Sequence, residues 1–156
     1  MTDQASKKPF LPPRWVIHLA WRIHRGLYRL TGGRMGLRPP RPDRYGLMRL
    51  TTIGRHSGRE RSVMLAYIED GPNLVTMAMN GWGAAEPGWW LNLQANPDVE
   101  IALVDGPRQV AGRAATDDER QRLWACWQEL DDKLDAYAAL RPTETTVVIL
   151  EPRLSA

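Results

Sequence analysis

The sequence predicts a single domain of α+β class, mainly β, in which a small antiparallel barrel carries inserted helices. Three observations lead there. The 156 residues are 43% apolar and 25% charged, which suits one domain with an ordinary core. Short β-branched stretches recur between turn signals from residue 47 onward. Helical periodicity is confined to residues 14–30, a short stretch after Pro87 and residues 116–139, and strands that outnumber helices in this way close into a barrel or an α+β sheet.

Residues 1–13 are polar and then proline-bearing, and are expected to be disordered. RWVIHLAWRIHRGLYRL, residues 14–30, reads as a helix. At about 100° per residue, Arg14, His18, Arg22, Arg25 and Arg29 fall within roughly an 80° arc. Val16, Ala20, Ile23, Leu27 and Leu30 take the opposite face, and Trp15, Trp21 and Tyr28 flank the basic stripe. Residues 31–46, rich in Gly, Pro and Arg, form a linker or an ordered loop. The barrel domain is expected over 47–152. Leu47–Ile53, Ser62–Ile68 and Asn73–Met79 read as strands, with turns at Gly54–Gly58 and Asp70-Gly71-Pro72. Pro87 opens a short helix that ends near Asn96-Pro97. Val99–Val104 and Gln109–Ala114 form a hairpin around Asp105-Gly106-Pro107. Thr116 and Glu119 make a capping box; Leu123, Trp127, Leu130, Leu134 and Tyr137 then recur at helical spacing to about Ala139. Thr145–Leu150 closes the chain as a strand.

Several function classes fall away on composition. No run of eighteen apolar residues exists to span a bilayer, and the N-terminus lacks the pattern of a secretory signal. A cytoplasmic location is therefore expected. Cys126 is the single cysteine, so it forms no intramolecular disulfide and no cysteine metal cluster; it reads as a core thiol on a helix. The three histidines, His18, His24 and His56, have no metal-binding spacing. No metal site is expected. GxSxG, Walker and GxGxxG elements are absent. Residues 1–49 carry eleven basic against two acidic side chains, a net +9, and the other 107 carry ten against sixteen, a net −6. Such asymmetry points the basic end at an anionic partner, a lipid surface or the acidic body of the chain itself. A nucleic acid is disfavoured, because no recognition fold accompanies the charge.

Two stretches can carry chemistry through a bound cofactor. LTTIGRHSGRER, residues 50–61, turns through Gly54 and Gly58 and brings Arg55, His56, Arg59 and Arg61 together beside Ser57. Guanidinium groups bind phosphate oxygens in pairs, and glycine-rich turns expose backbone amides. A solvated basic turn is the alternative. MAMNGWG, residues 77–83, runs on to EPGWWLNL, residues 86–93. Its Asn-Gly-x-Gly end frees amides for the polar edge of a planar ring, and Trp82, Trp89 and Trp90 offer flat walls. Trp124 and Trp127 are assigned to the core.

LTTIGRHSGRERSVMLAY, PGWWLNLQANPDVEI and ATDDERQRLW together resemble the deazaflavin-dependent nitroreductases, the F420H2-dependent quinone reductase family, over roughly Arg14 to Pro152. The resemblance implies a split β-barrel of FMN-binding-like, pyridoxamine oxidase-related type, and coenzyme F420 as cofactor. It implies hydride transfer from the reduced deazaflavin to a quinone-like or nitroaromatic acceptor. By the same similarity Arg55, His56, Ser57, Gly58 and Arg61 hold the phosphate and its lactyl-glutamate tail. Ala78, Met79, Asn80, Gly81 and Trp82 line the ring, with Trp89 and Asn92 in support. Tyr67 and Tyr137 match positions near the substrate pocket and become the proton-donor candidates. The chain departs from the family pattern at His56, where lysine is common, at Met79-Asn80, where serine-lysine is frequent, and at Asp131 and Leu134, where lid tyrosines occur.

Two other readings stay open on sequence. One is a binding module that holds a lipid or flavin without turnover, for which the arginine cradle has no use. The other is an FMN-dependent oxidoreductase. The helix over 14–30 either covers the barrel or lies on an anionic membrane surface, as a peripheral contact on the inner face of the cell membrane.

Overall fold

The computed structural model describes residues 12–30 and 36–154, with side chains of the first helix described as far as Ile23. Disorder expected over 1–13 therefore falls mostly outside the described residues, as do linker residues 31–35 and the side chains of Arg25, Leu27, Tyr28, Arg29 and Leu30. In chain order the elements are α1 (Arg14–Leu30), β1 (Gly46–Ile53), β2 (Glu60–Asp70), β3 (Asn73–Met77), α2 (Gly88–Ala95), β4 (Asp98–Leu103), β5 (Gly106–Ala114), α3 (Asp117–Leu130), α4 (Leu134–Ala138) and β6 (Val147–Pro152). The six strands close into a split-type barrel in the order β1-β2-β3-β6-β5-β4, and every ladder is antiparallel. The β1–β4 ladder makes the closure by pairing Arg49, Leu50 and Thr51 with Ala102, Ile101 and Glu100.

Alternation of burial along β1 puts Met48, Leu50 and Thr52 inside. They meet Leu65, Tyr67, Val99, Ile101, Val148 and Leu150 in the barrel interior, and α2 contributes Trp89, Trp90 and Leu93 to the same core. A Cβ at Gly112 would lie 2.5 Å from Leu93 Cδ2, so the absent side chain on β5 is what lets α2 seat. A second core forms on the outer face of β2, β3 and β6. There Ile68, Val75, Met77, Val147 and Ile149 are covered by Leu123 and Trp127 of α3 and Leu134 of α4. Cys126 and Trp124 pack at its edge and are only partly buried. Trp124 is held there by its Nε1–H donating to Asp135 at 2.8 Å.

Several boundaries differ from the sequence expectation for identifiable reasons. β2 runs beyond Ser62–Ile68 at both ends, because β1 pairs with it as far as Ile53↔Glu60 and β3 as far as Asp70↔Asn73. β3 stops at Met77, not Met79, since Met77↔Val147 is its last pair with β6. The chain then turns through Gly81 and Trp82, with φ of 54° and 59°. The helix expected through Ala139 breaks at Asp131, whose Oδ1 accepts the backbone N–H of Lys133 at 3.0 Å and ends α3. The capping box at Thr116–Glu119 is present, and Arg113 ties the same Glu119 to β5 at 2.7 Å. The described part of the 31–46 segment is an ordered loop in which Arg38 pairs with Leu47.

α1 shows three faces. Ile17 and Trp21 turn toward the body of the protein. Trp15, Leu19 and Ile23 stand out into solvent, 68%, 48% and 57% exposed. Arg14, His18 and Arg22 are exposed between them. Of the apolar face for which barrel cover and membrane contact were both open, Val16, Ala20 and Ile23 have described side chains and are largely uncovered among the described residues.

Candidate functional site

An open cleft of about 950 Å³ runs along the outer face of β2, between the β1–β2 turn, the 79–82 loop, α1 and the α3–α4 corner. Its volume is at the upper end of the range usual for small-molecule sites. Of the residues singled out on sequence, Arg55, His56, Ser57, Arg61, Met79, Asn80, Gly81, Trp82, Trp89, Asn92 and Tyr137 line it. Gly58, Ala78 and Tyr67 do not.

The basic end is built by the β1–β2 turn. Gly58 takes φ 66° and its N–H donates to the Gly54 carbonyl at 2.8 Å, a conformation in which a side chain would be strained. A Cβ on Gly54 would lie 2.5 Å from Ser57 Oγ. The two glycines fold the turn so tightly that no described residue accepts from the backbone N–H of His56 or Ser57. Asn92 on α2 pins this turn from below. Its Oδ1 accepts the Arg55 backbone N–H at 3.1 Å and Arg55 Nη1 at 3.3 Å. Its Nδ2 donates to Thr52 Oγ1 at 3.2 Å, and that hydroxyl donates to the Arg61 carbonyl at 3.4 Å. Asn92 and Thr52 are 6% and 0% exposed, so one buried amide fixes both ends of the arginine turn.

The far end is apolar and flat. Trp82 stacks on Tyr137 with ring centroids 6.1 Å apart and planes 12° from parallel. Trp127 packs against Tyr45 at 6.0 Å, and Arg38 lies 5.1 Å over the Tyr45 ring. Ile17 and Trp21 of α1 complete the wall. The left-handed backbone of Trp82 costs energy for a residue with a Cβ, and what holds it is visible below the loop. Arg141, fully buried at its side chain, donates to Ala78 O, Gly83 O and Thr145 Oγ1 at 3.0 Å each. It also pairs with Glu86 at 3.0 Å. That clamp accounts for the buried position of Ala78: its carbonyl is spent on Arg141 and it does not face the cleft.

Sequence reasoning missed Arg141. It stands in a turn, RPTE, with no motif around it, and only the tertiary fold brings it under residues 78–86. Tyr67 needs a correction of place. It is 3% exposed, sits in the barrel interior, and its ring fills the space above Gly46, where a Cβ would come within 2.5 Å. Burial, and next Glu69, push its phenol above the ordinary tyrosine value. The inward alternation of β2 turns it away from the cleft. Among the described residues no group of His, Cys, Asp and Glu could hold a metal ion.

The residues present fit an elongated, phosphorylated, flat cofactor. Two guanidinium groups, an imidazole, a serine and two unclaimed amides gather at one end, and a planar slot occupies the other. Such a group would be held by the turn at its anionic end and by the 79–82 loop at its ring.

Comparison with known proteins agrees. The sequence model of the F420H(2)-dependent quinone reductase family matches residues 20–152. An F420H(2)-dependent quinone reductase of Mycobacterium tuberculosis is 34% identical over 137 residues, covering 85% of this chain and 89% of the relative. A solved F420-H2 dependent reductase superposes with a TM-score of 0.61 at 26% identity, covering 67% of this chain and 93% of that one. A solved putative pyridoxamine 5'-phosphate oxidase of Listeria innocua, 14% identical with a TM-score of 0.50, covers 69% of this chain and 84% of its own and shares the fold. With a family match over most of its length and relatives above 30% identity, this chain belongs to the F420H(2)-dependent quinone reductase family, oxidoreductases whose cofactor is coenzyme F420.

Proposed function

We propose that the cleft carries out two-electron reduction of a quinone-like acceptor, with nitroaromatic compounds as a second acceptor class. The observation that carries this reading is the division of one cleft into a basic turn and a flat aromatic slot. The cofactor's phosphate and acidic tail lie on Arg55, His56, Ser57 and Arg61, with charge-assisted hydrogen bonds supplying much of the affinity. Its ring would be held by residues 79–82, with Trp89 lining the same cleft. When bound, reduced deazaflavin supplies the hydride, and a quinone needs one further proton to become the hydroquinone. Tyr137 is the donor this reading assigns, because it lines the cleft and stacks on Trp82; Tyr67 is enclosed in the barrel. Trp82 and Tyr137 would give the acceptor a flat apolar wall and exclude water from it.

The test is a titration of the protein with coenzyme F420 and, separately, FMN, followed by tryptophan fluorescence. Micromolar binding of F420 with weaker FMN supports the reading. Preferential FMN binding favours a flavin oxidoreductase, and binding of neither leaves a non-catalytic lipid- or flavin-binding barrel.

A membrane contact belongs to the same reading. The exposed Trp15, Leu19 and Ile23 beside Arg14, His18 and Arg22 make an amphipathic surface suited to anionic lipid. No helix among the described residues is long and apolar enough to cross a membrane. Sedimentation with anionic but not neutral vesicles, weakening as salt rises, is the expected behaviour.

A further inference from the structure

We infer that Asp131 makes the acceptor end of the cleft anion-rejecting, so that the enzyme selects neutral or cationic acceptors over carboxylated or sulfonated ones. The inference rests on the functional reading above and concerns the second substrate. Among the described residues that line the cleft there is one carboxylate, that of Asp131, against Arg55, His56 and Arg61. The charges that line the cleft stand far apart by sign, although Arg38, which does not line it, lies over the Tyr45 ring at the Asp131 end. Tyr45 and Gly54 flank the two ends of β1, eight residues long, about 25 Å of strand. Trp127 packs on Tyr45, and Asp131 follows Trp127 by one turn of α3, its N–H donating to the Trp127 carbonyl at 3.0 Å. Arg55 and His56 follow the other end of β1, and Arg61 pairs with Thr52 beside that end.

The surrounding charges do not neutralise Asp131. Its Oδ1 accepts only the backbone N–H of Lys133, and no ion pair joins it among the described residues. Asp132 and Lys133 beside it are exposed. Asp135 is occupied by Trp124 Nε1 and Gln128 Nε2 at 2.8 and 2.7 Å. The carboxylate stands at the rim of an apolar slot formed by Trp127, Leu134 and Tyr137, where solvent screening is weaker than in bulk water. An anionic acceptor entering here meets a like charge, and the basic groups that line the cleft are engaged by the cofactor.

Asp131→Asn is the discriminating variant. The amide keeps an oxygen for the Lys133 N–H, so the helix end is preserved. The probes are a neutral naphthoquinone and a naphthoquinone sulfonate of matched potential, assayed with reduced F420, with the F420 dissociation constant measured in parallel. Wild type prefers the neutral quinone in kcat/KM. In the variant the sulfonate gains about five- to tenfold, the scale of one unit charge at short range under partial screening. The neutral quinone changes less than twofold, F420 affinity is unchanged, and the sulfonate's gain shrinks at high salt. Equal effects on both quinones, or none on either, overturn the inference while leaving the reductase reading intact. Absence of F420 binding or of turnover with both quinones removes that reading, and the inference with it.

Discussion

Replacing Asn92 with Ala tests whether one buried amide organises the phosphate-binding turn. The substitution removes an acceptor from the Arg55 backbone N–H and from Arg55 Nη1, and a donor from Thr52 Oγ1. Each neutral bond contributes about 1 kcal/mol and a bond to a charged group about 1.5–3 kcal/mol, with orphaned buried groups at the upper end. The guanidinium contact is long at 3.3 Å, so the sum is taken as about 2–4 kcal/mol. Part of that appears as global stability, read by urea denaturation with tryptophan fluorescence. The rest appears as weaker F420 binding, because the turn must be ordered anew each time a ligand binds. Asn92→Asp separates the two effects: its carboxylate still accepts from Arg55 but cannot donate to Thr52, so it retains more F420 affinity than the alanine variant. If Asn92→Ala changes stability by less than about 0.5 kcal/mol and leaves F420 affinity unaltered, the hydrogen-bond argument is wrong.

Other perturbations follow the same logic. Arg141→Met strips the partner from Glu86 and two loop carbonyls, and should cost about 3–5 kcal/mol, as for other broken buried pairs; a loss below about 1 kcal/mol in thermal or urea unfolding contradicts the clamp. Trp82→Gly and Trp82→Ala both lose the Tyr137 stack, but glycine accepts the left-handed backbone, so it should be the more stable of the two by about 1 kcal/mol. Gly112→Ala should cost about 1–3 kcal/mol by overpacking Leu93, visible as a lowered melting temperature. Glu119 carries a pH signature. The Arg113 guanidinium, and then the Thr116 backbone N–H, hold its carboxyl down to about 2 from an ordinary 4.5. A depressed carboxylate stabilises the fold above its unfolded value, so this contribution is complete above about pH 4.5 and lost as pH falls toward 2. In Glu119→Gln the acid limb of the stability curve should therefore flatten over that window; an unchanged slope removes Arg113 as the cause.

The barrel was legible because its information is local. Alternation in LMRLTTI and the β-branched run TTVVIL each state a buried strand face, and Asp70-Gly71 states the turn between β2 and β3. The basic turn was equally readable, since Gly54, Arg55, Gly58 and Arg61 are neighbours in sequence and in space. Long-range effects were not. β3 ends where β6 stops pairing with it, and α3 ends on an Asp side chain with no Gly or Pro to mark the stop. Tyr67 and Ala78 sit within promising motifs but point away from the cleft, because strand alternation and the Arg141 clamp decide their direction. Arg141 carries no local signal at all; a single buried arginine among turn residues becomes informative only when the loop it clamps is known.

The central claim is that Arg55 and Arg61 hold the anionic end of a deazaflavin. Its most direct test is the F420 dissociation constant of the wild type against the Arg55→Ala/Arg61→Ala double variant, with FMN measured alongside. Loss of two charge-assisted bonds should weaken F420 binding at least about 100-fold, with the unliganded fold retained. Equal F420 affinity in both proteins, or FMN bound more tightly than F420 by the wild type, contradicts the account.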